Sequence, residues 1–408
     1  MDARDNSKKG RAGRYVLQPT GYRAFIPKDL PPDPPIAMDP EVWSLLSNAD
    51  RALGKLDGST DILPNPDLFV FMYVRKEAVL SSQIEGTQAS LMDVLEFEAE
   101  ALEPGRPKDV EEVVNYVAAM NHGLARLKDL PVSLRLIREI HRKLLAGVRG
   151  SERNPGEFRG SQNWIGPPGC TLQTAHFVPP PAHEMTAALS NLEKSLHDKA
   201  PMPLLIKVGL AHAQFETIHP FLDGNGRVGR LLITFLLCGK GVLKRPLLYL
   251  SHFFKQHRGE YYELLQAIRD EGDWEGWLKF FFRGVYEVSQ EATETARRIV
   301  SLRESHRNLV MEKLGSGSGN ALTLLESLFW RPIISVKHAA EATGLAYANA
   351  NKLIGRLEEL GLLQEMTGRK RNRRFSYGPY LALFADSSPE ESETPGENQH
   401  QKRTEGAC

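Results

Sequence analysis

The run from His219 to Arg230, His-Pro-Phe-Leu-Asp-Gly-Asn-Gly-Arg-Val-Gly-Arg, brings an imidazole, a carboxylate, an amide and two guanidinium groups together around a Gly-Asn-Gly bend. Those groups suit binding and attack on a polyphosphate. Gly224 and Gly226 let a backbone approach a phosphate with no Cβ in the way. Arg227 and Arg230 are three apart, so on a helix they share a face and can fork onto phosphate oxygens. Asp223 is a hard oxygen ligand suited to Mg²⁺. His219 can take a proton near neutral pH. The flanking residues predict how this run is held. Leu204, Val208, Ala211, Phe215 and Ile218 recur at helical spacing, and the apolar run Leu231 to Leu237 predicts a second, buried helix. The run is then a loop between helices, ending at the N-terminus of the second, where free N–H groups and the helix dipole favour anions.

The string resembles the signature of the Fic (filamentation induced by cAMP) family, His-Pro-Phe-x-Asp/Glu-Gly-Asn-Gly-Arg-x-x-Arg, at every specified position. The resemblance implies transfer of AMP from ATP to a Tyr, Thr or Ser hydroxyl of a target protein. His219 would be the general base and Asp223 the Mg²⁺ ligand. Gly224, Asn225 and Gly226 would cradle the α-phosphate, Arg227 the β-phosphate and Arg230 the γ-phosphate. Upstream, Ser81-Ser82-Gln83-Ile84-Glu85-Gly86 is similar to the family's inhibitory pattern, Ser/Thr-x-x-x-Glu-Gly/Asn. Taken alone it reads as a helix end with Gly86 as C-cap. Within the family it implies that Glu85 pairs with Arg230 and takes the γ-phosphate's place, with Ser81 and Gly86 completing the motif. Glu157 to Gly166, then Ala175 to Pro181, reads as a short β-hairpin. It resembles the family's flap, with Asn163, Trp164, Ile165 and Gly166 at its edge and Ile165 as the contact to a target side chain. Tyr261, Tyr262 and Leu265 are candidates for an adenine pocket; an aromatic pair on a helix equally suits a core. Homodimerisation is a further implication of the resemblance.

The fold class expected is mainly α: a Fic-type helical core with a β-hairpin flap and a C-terminal winged helix-turn-helix. The 408 residues divide into an N-terminal helical region (1–105), a catalytic core (106–314), a winged helix (315–385) and a disordered tail (386–408). Periodicity predicts helices over 40–55, 66–84, 90–101, 108–127, 133–147, 182–197, 203–218, 227–239, 259–270 and 274–306, the last reaching 314. Residues 1 to about 20, polar and basic, predict a mobile end, and the glycine-serine run 315–319 a flexible linker. Charges balance, with 51 Lys and Arg against 51 Asp and Glu, so net charge selects no partner. Cys170, Cys238 and Cys408 form no metal or disulfide pattern, as expected in a reducing cytoplasm. No apolar run has membrane-spanning length, so no membrane role is expected.

In the C-terminal block, helices over 321–330, 336–343 and 346–360 precede strands over 361–366 and 374–377, with Thr367 to Arg373 as a basic wing. The third helix offers Asn349, Asn351, Lys352 and Arg356 to a DNA groove; protein contact or dimerisation is the other use of such a module. Two further functions stay open: a DNA-binding regulator whose core senses nucleotide, and an enzyme removing AMP from modified proteins.

Overall fold

The computed structural model describes residues 8–60, 66–99, 109–167 and 169–385. The chain opens with an antiparallel pair, β1 (Gly13–Leu17) and β2 (Arg23–Pro27). Helices follow: α1 (Pro40–Ser59), α2 (Pro66–Ile84), α3 (Leu91–Glu98), α4 (Val110–Arg126), α5 (Leu134–Leu144), α6 (Ala182–His197), α7 (Leu204–Ile218), α8 (Asn225–Gly239), α9 (Ser251–Gln256), α10 (Arg258–Glu271) and α11 (Trp274–Leu314). The C-terminal part runs α12 (Ser318–Leu328), β3 (Ile333–Ser335), α13 (Val336–Thr343), α14 (Tyr347–Glu359), β4 (Gln364–Glu365), β5 (Arg374–Ser376) and α15 (Gly378–Leu381). The mainly helical architecture matches the expectation, and most helix bounds fall within a few residues of those that periodicity predicts.

Local chemistry sets the ends. Asp39 accepts from the Val42 N–H at 2.8 Å and Pro40 opens α1, where its missing N–H costs nothing. Ser90 and Asp93 form a reciprocal capping box at α3. Ser133 caps α5 and Asp273 caps α11. The centre is α7 against α8. Every residue of α7 from Leu205 to Ile218, Lys207 excepted, is buried, and so are Val228 to Leu237 of α8. Helix α4 crosses α8 closely at Gly123, where a Cβ would lie 2.3 Å from the Phe235 ring.

Four expectations are corrected. Residues 13–27 form a hairpin, not a mobile end. Its anchors are tertiary: Arg11 pairs with Glu275 at 2.9 Å, and the Phe25 N–H donates to the Val178 carbonyl at 2.9 Å. Among the described residues the flap holds a single β-bridge, Ile165 to Phe177, because Pro and Gly on either side cannot sustain a ladder. The 315–319 run is one 3-10 turn followed directly by α12, so α11 and α12 are joined tightly rather than by an open linker. Helix α9 and strand β3 were not expected. The tail assigned to 386–408, with Cys408, lies outside the described residues. Among the described residues, no helix is long and apolar enough to cross a membrane, and Cys170 and Cys238 are free thiols.

The α4–α8 crossing gives a direct check. Gly123→Ala should cost about 1–3 kcal/mol through overpacking against Phe235, read as a lowered Tm; an unchanged Tm would contradict the close approach.

Candidate active site

The loop between α7 and α8 is shaped by two left-handed residues. His219 closes α7 with φ 49° and ψ 61°, and Gly224 precedes α8 with φ 75°. A histidine in that region is strained, so its surroundings must hold it. Arg159 does so: its Nε donates to the His219 carbonyl at 3.0 Å and its Nη2 to the Pro180 carbonyl at 2.5 Å and the Ile218 carbonyl at 3.4 Å. Its own N–H donates to the Pro220 carbonyl at 2.9 Å. A buried guanidinium thus neutralises the orphan carbonyls at the end of α7. Asn163 adds donors to the Phe221 carbonyl at 2.8 Å and the His219 carbonyl at 3.4 Å. Asn225 ties the loop from inside, accepting from the Phe221 N–H and donating to its carbonyl, both at 2.8 Å. Below, the His141 ring stacks on Phe221 with centroids 3.7 Å apart. Its Nδ1 accepts from the Gly156 N–H, leaving Nε2–H to donate to the Asp223 carbonyl at 3.0 Å.

The result is a helix start with open donors. No side chain caps α8, so its first-turn N–H groups face the loop. Arg230, 2% exposed, lies behind them and meets Glu85. The Glu85 carboxylate takes Arg230 Nη2 at 2.7 Å, while Ser81 accepts Nε on its hydroxyl at 2.8 Å and Nη2 on its carbonyl at 2.9 Å. Gly226 makes the pairing possible, since a Cβ there would sit 2.1 Å from the Glu85 carboxylate. Gly86, at φ 95°, turns the chain away after Glu85. Burial alone would raise the Glu85 carboxyl; the Arg230 charge and hydrogen bond, aided by Arg227 and His219, outweigh it and hold the group below its ordinary value.

Arg227 is oriented by Glu112 at 3.1 Å and reaches Asp223 at 3.5 Å; its Nε is buried without a partner. Asp223 accepts from the Gly224 N–H at 2.6 Å and leaves its side chain 36% exposed toward the loop mouth. The His219 Nδ1 is buried and unpartnered. Burial, with Arg159 and Arg269 adding repulsion, lowers the imidazole to about 4, so it stays neutral at pH 7. Beneath it Glu216 is raised to about 7 by burial, against the pull of Arg230, with Oε1 unpartnered.

The predicted site residues divide accordingly. His219, Asp223, Gly224, Asn225, Gly226, Arg227, Arg230, Glu85, Ser81 and Gly86 converge on one loop. Asn163 reaches it, while Trp164 and Ile165 stand outside at 42% and 37% exposure. Gly166 passes closely over Cys170. Tyr261 and Leu265 are buried in the core. The Tyr261 hydroxyl is spent on His212 Nε2 at 2.9 Å, and the ring packs among Phe254 and Trp277. Tyr262 is 43% exposed, and burial of its hydroxyl, with the Glu85 charge nearby, raises it above the ordinary tyrosine value. Sequence reasoning missed Glu112, His141, Arg159 and Glu216 as site partners. Arg159 lies inside the flap string, but nothing in its spacing marks it as a helix cap.

The His219 imidazole should resist protonation. Its lowered value means that folding opposes proton binding, so the associated stability is complete above pH 6.5 and is lost as pH falls toward about 4. NMR titration should find the ring neutral at about pH 5.5; an ordinary midpoint near 6.5 would contradict its burial.

Comparison with known proteins agrees with this geometry. Residues 43–125 match the Fic/DOC family N-terminal region and residues 131–237 match the Fic/DOC family. A protein of Aedes aegypti named Protein adenylyltransferase Fic is 35% identical over 173 residues, 41% of this chain and 31% of its own length. Its namesake in Drosophila yakuba is 27% identical over 304 residues, 66% of this chain and 58% of its own length. The chain therefore spans well under two thirds of either relative. A crystal structure of a Fic family protein from Desulfovibrio desulfuricans G20 shares the fold, with a TM-score of 0.55 at 19% identity, over 84% of this chain and 97% of that one. With the signature loop held between α7 and α8, the chain carries in order a match to the Fic/DOC family N-terminal region and a match to the Fic/DOC family itself.

Proposed function

We propose that this chain is a protein adenylyltransferase that moves AMP from ATP to a Tyr, Thr or Ser hydroxyl of a target protein, and that Glu85 holds it off. The observation carrying this reading is the Glu85 carboxylate seated on Arg230 beside Gly226. A carboxylate there occupies the place that an anionic phosphate would need. The names of the two insect relatives support the chemistry.

In the active arrangement Glu85 swings away and Arg230 receives the γ-phosphate. Arg227, aimed by Glu112, holds the β-phosphate. The first-turn N–H groups of α8 bind the α-phosphate and stabilise the charge that develops there. The target hydroxyl oxygen attacks the α-phosphorus, the bond to the β-phosphate's bridging oxygen breaks, and pyrophosphate leaves. The hydroxyl proton passes to His219, neutral and therefore able to accept it. Asp223 fits a Mg²⁺ held jointly with phosphates: it is one partly exposed carboxylate at the loop mouth, and among the described residues no cluster of three acidic, His or Cys ligands forms a closed cage. Bound Mg²⁺ would neutralise phosphate charge. Tyr262, at the rim, is the adenine contact that exposure allows. The exposed Trp164 and Ile165, on a flap tied to the loop through Asn163, meet the target chain.

Residues 315–385 serve as a winged-helix partner module. Their end also braces the inhibitory helix: Tyr380 and Phe384 stack edge-on to each other, and Phe384 meets Tyr73 of α2 at 5.6 Å.

Labelling a cell lysate with ATP carrying label on its α-phosphate, plus Mg²⁺, tests the proposal. Glu85→Gly should exceed the wild type by about tenfold or more, equivalent to 1.4 kcal/mol, and adding His219→Ala should abolish the signal. Equal labelling by wild type and Glu85→Gly would remove the inhibitory role; no labelling by either would remove the transferase. Phe384→Ala, by loosening α2, should raise wild-type labelling and leave the Glu85→Gly level unchanged. A fall, or no change, in the wild-type background would contradict the bracing role.

A further inference from the structure

The C-terminal elements form a three-stranded sheet in the order β3-β5-β4, all antiparallel, with α12, α13 and α14 packed behind it. Helix α14 buries Ala350, Leu353, Ile354 and Leu357. Its opposite side carries Asn349, Lys352 and Arg356, spaced 3 and 4 and therefore on one face, all exposed. Tyr347, 62% exposed, stands at its N-terminus. From the sheet, the segment between β4 and β5 projects Arg369, Lys370 and Arg371 into solvent. This wing has a built shape. Glu365 accepts from the Thr367 and Gly368 N–H groups, and Asn372 adopts a left-handed φ of 54°. Arg373 ties wing to helix through a 2.7 Å bond to Asn351.

We propose that this face binds duplex DNA, with the N-terminal half of α14 in the major groove and the wing on the phosphate backbone. The geometry is that of a helix able to enter a groove beside a cationic loop, with amide, guanidinium and ammonium donors suited to base edges and phosphates. Charge decides between nucleic acid and protein. Exposed cations Lys352, Arg356, Arg369, Lys370 and Arg371 converge there on a chain whose 51 basic and 51 acidic residues balance overall. The opposing carboxylates on α14, Glu358 and Glu359, lie in its last turn beside Arg356, about 9–10 Å along the axis beyond Lys352 at about 1.5 Å per residue, so the N-terminal half of the helix is free of them. Glu365 is turned inward on its own backbone donors. A protein-binding face would instead present an apolar centre; here that side of α14 offers polar and charged groups beyond Tyr347.

Fluorescence anisotropy of the full chain with a mixed-sequence duplex of about three helical turns tests this. Wild type should bind with a Kd between about 10⁻⁶ and 10⁻⁴ M near physiological salt, weakening steeply between about 50 and 200 mM. Lys352→Ala/Arg356→Ala and Lys370→Ala/Arg371→Ala should each lower the log–log salt slope by about 0.9 per lost phosphate contact, without changing Tm. Lys55→Ala/Arg297→Ala, removing cations from the groove between α1 and α11, should bind as wild type. No binding at low salt overturns the proposal. Equal loss in all three double variants would also overturn it, because binding would then follow net charge and not this face. The assay needs no nucleotide, so its outcome is independent of the adenylyltransferase reading.

Discussion

A guanidinium taken out of water must find an anion. Arg230 is 2% exposed at the base of the loop, and leaving such a charge unmatched costs several kcal/mol. The structure answers with Glu85 and with two oxygens of Ser81. Everything around the loop follows from that requirement. Gly226 must lack a Cβ for any anion to come so close, and α2 must end where Glu85 can reach. Arg230, in turn, must sit one turn into α8, behind the helix's open N–H groups. The buried cation at the base of the loop is therefore matched by a carboxylate from the same chain.

The loop itself is held by groups that never face a ligand. His219 keeps a left-handed backbone only because Arg159 and Asn163 bind its carbonyl from the flap side. Asn225 binds the Phe221 N–H and carbonyl with its two amide groups and so shapes the bend. The same flap segment that locks His219 carries the exposed Trp164 and Ile165. Loop geometry and these exposed side chains thus belong to one connected segment, itself bound to the β1–β2 hairpin through Phe25 and Val178.

Legibility from sequence followed the range of the interactions. Helices whose apolar residues recur every three or four positions were readable almost to their ends, as in Ala182–His197 and Pro66–Ile84. The loop motif was readable because its chemistry is local: twelve consecutive residues hold nearly all of it. Glu85 was readable only through resemblance, since the 145 residues separating it from Arg230 leave no periodic trace. Glu112, His141 and Arg159 were not readable, because each acts through a contact formed only in three dimensions. The hairpin at 13–27 was hidden for a related reason: its stability comes from Arg11 on Glu275 and Phe25 on Phe177, not from strand pattern. The contacts of Tyr261 to His212 and Trp277 were not readable either, because an aromatic residue on an amphipathic helix looks the same whichever neighbour it meets.

The claim that Arg230 is shared between Glu85 and a terminal phosphate is tested most directly by comparing nucleotide affinities. Calorimetric titration of wild type and Glu85→Gly with ATP and with AMP, each with Mg²⁺ and on a His219→Ala background to prevent turnover, separates the terminal phosphate from the rest of the ligand. Removing Glu85 should tighten ATP by about tenfold or more, equivalent to 1.4 kcal/mol, and leave AMP nearly unchanged. Equal gains for both nucleotides, or none for ATP, would mean that the carboxylate does not occupy the terminal phosphate's place.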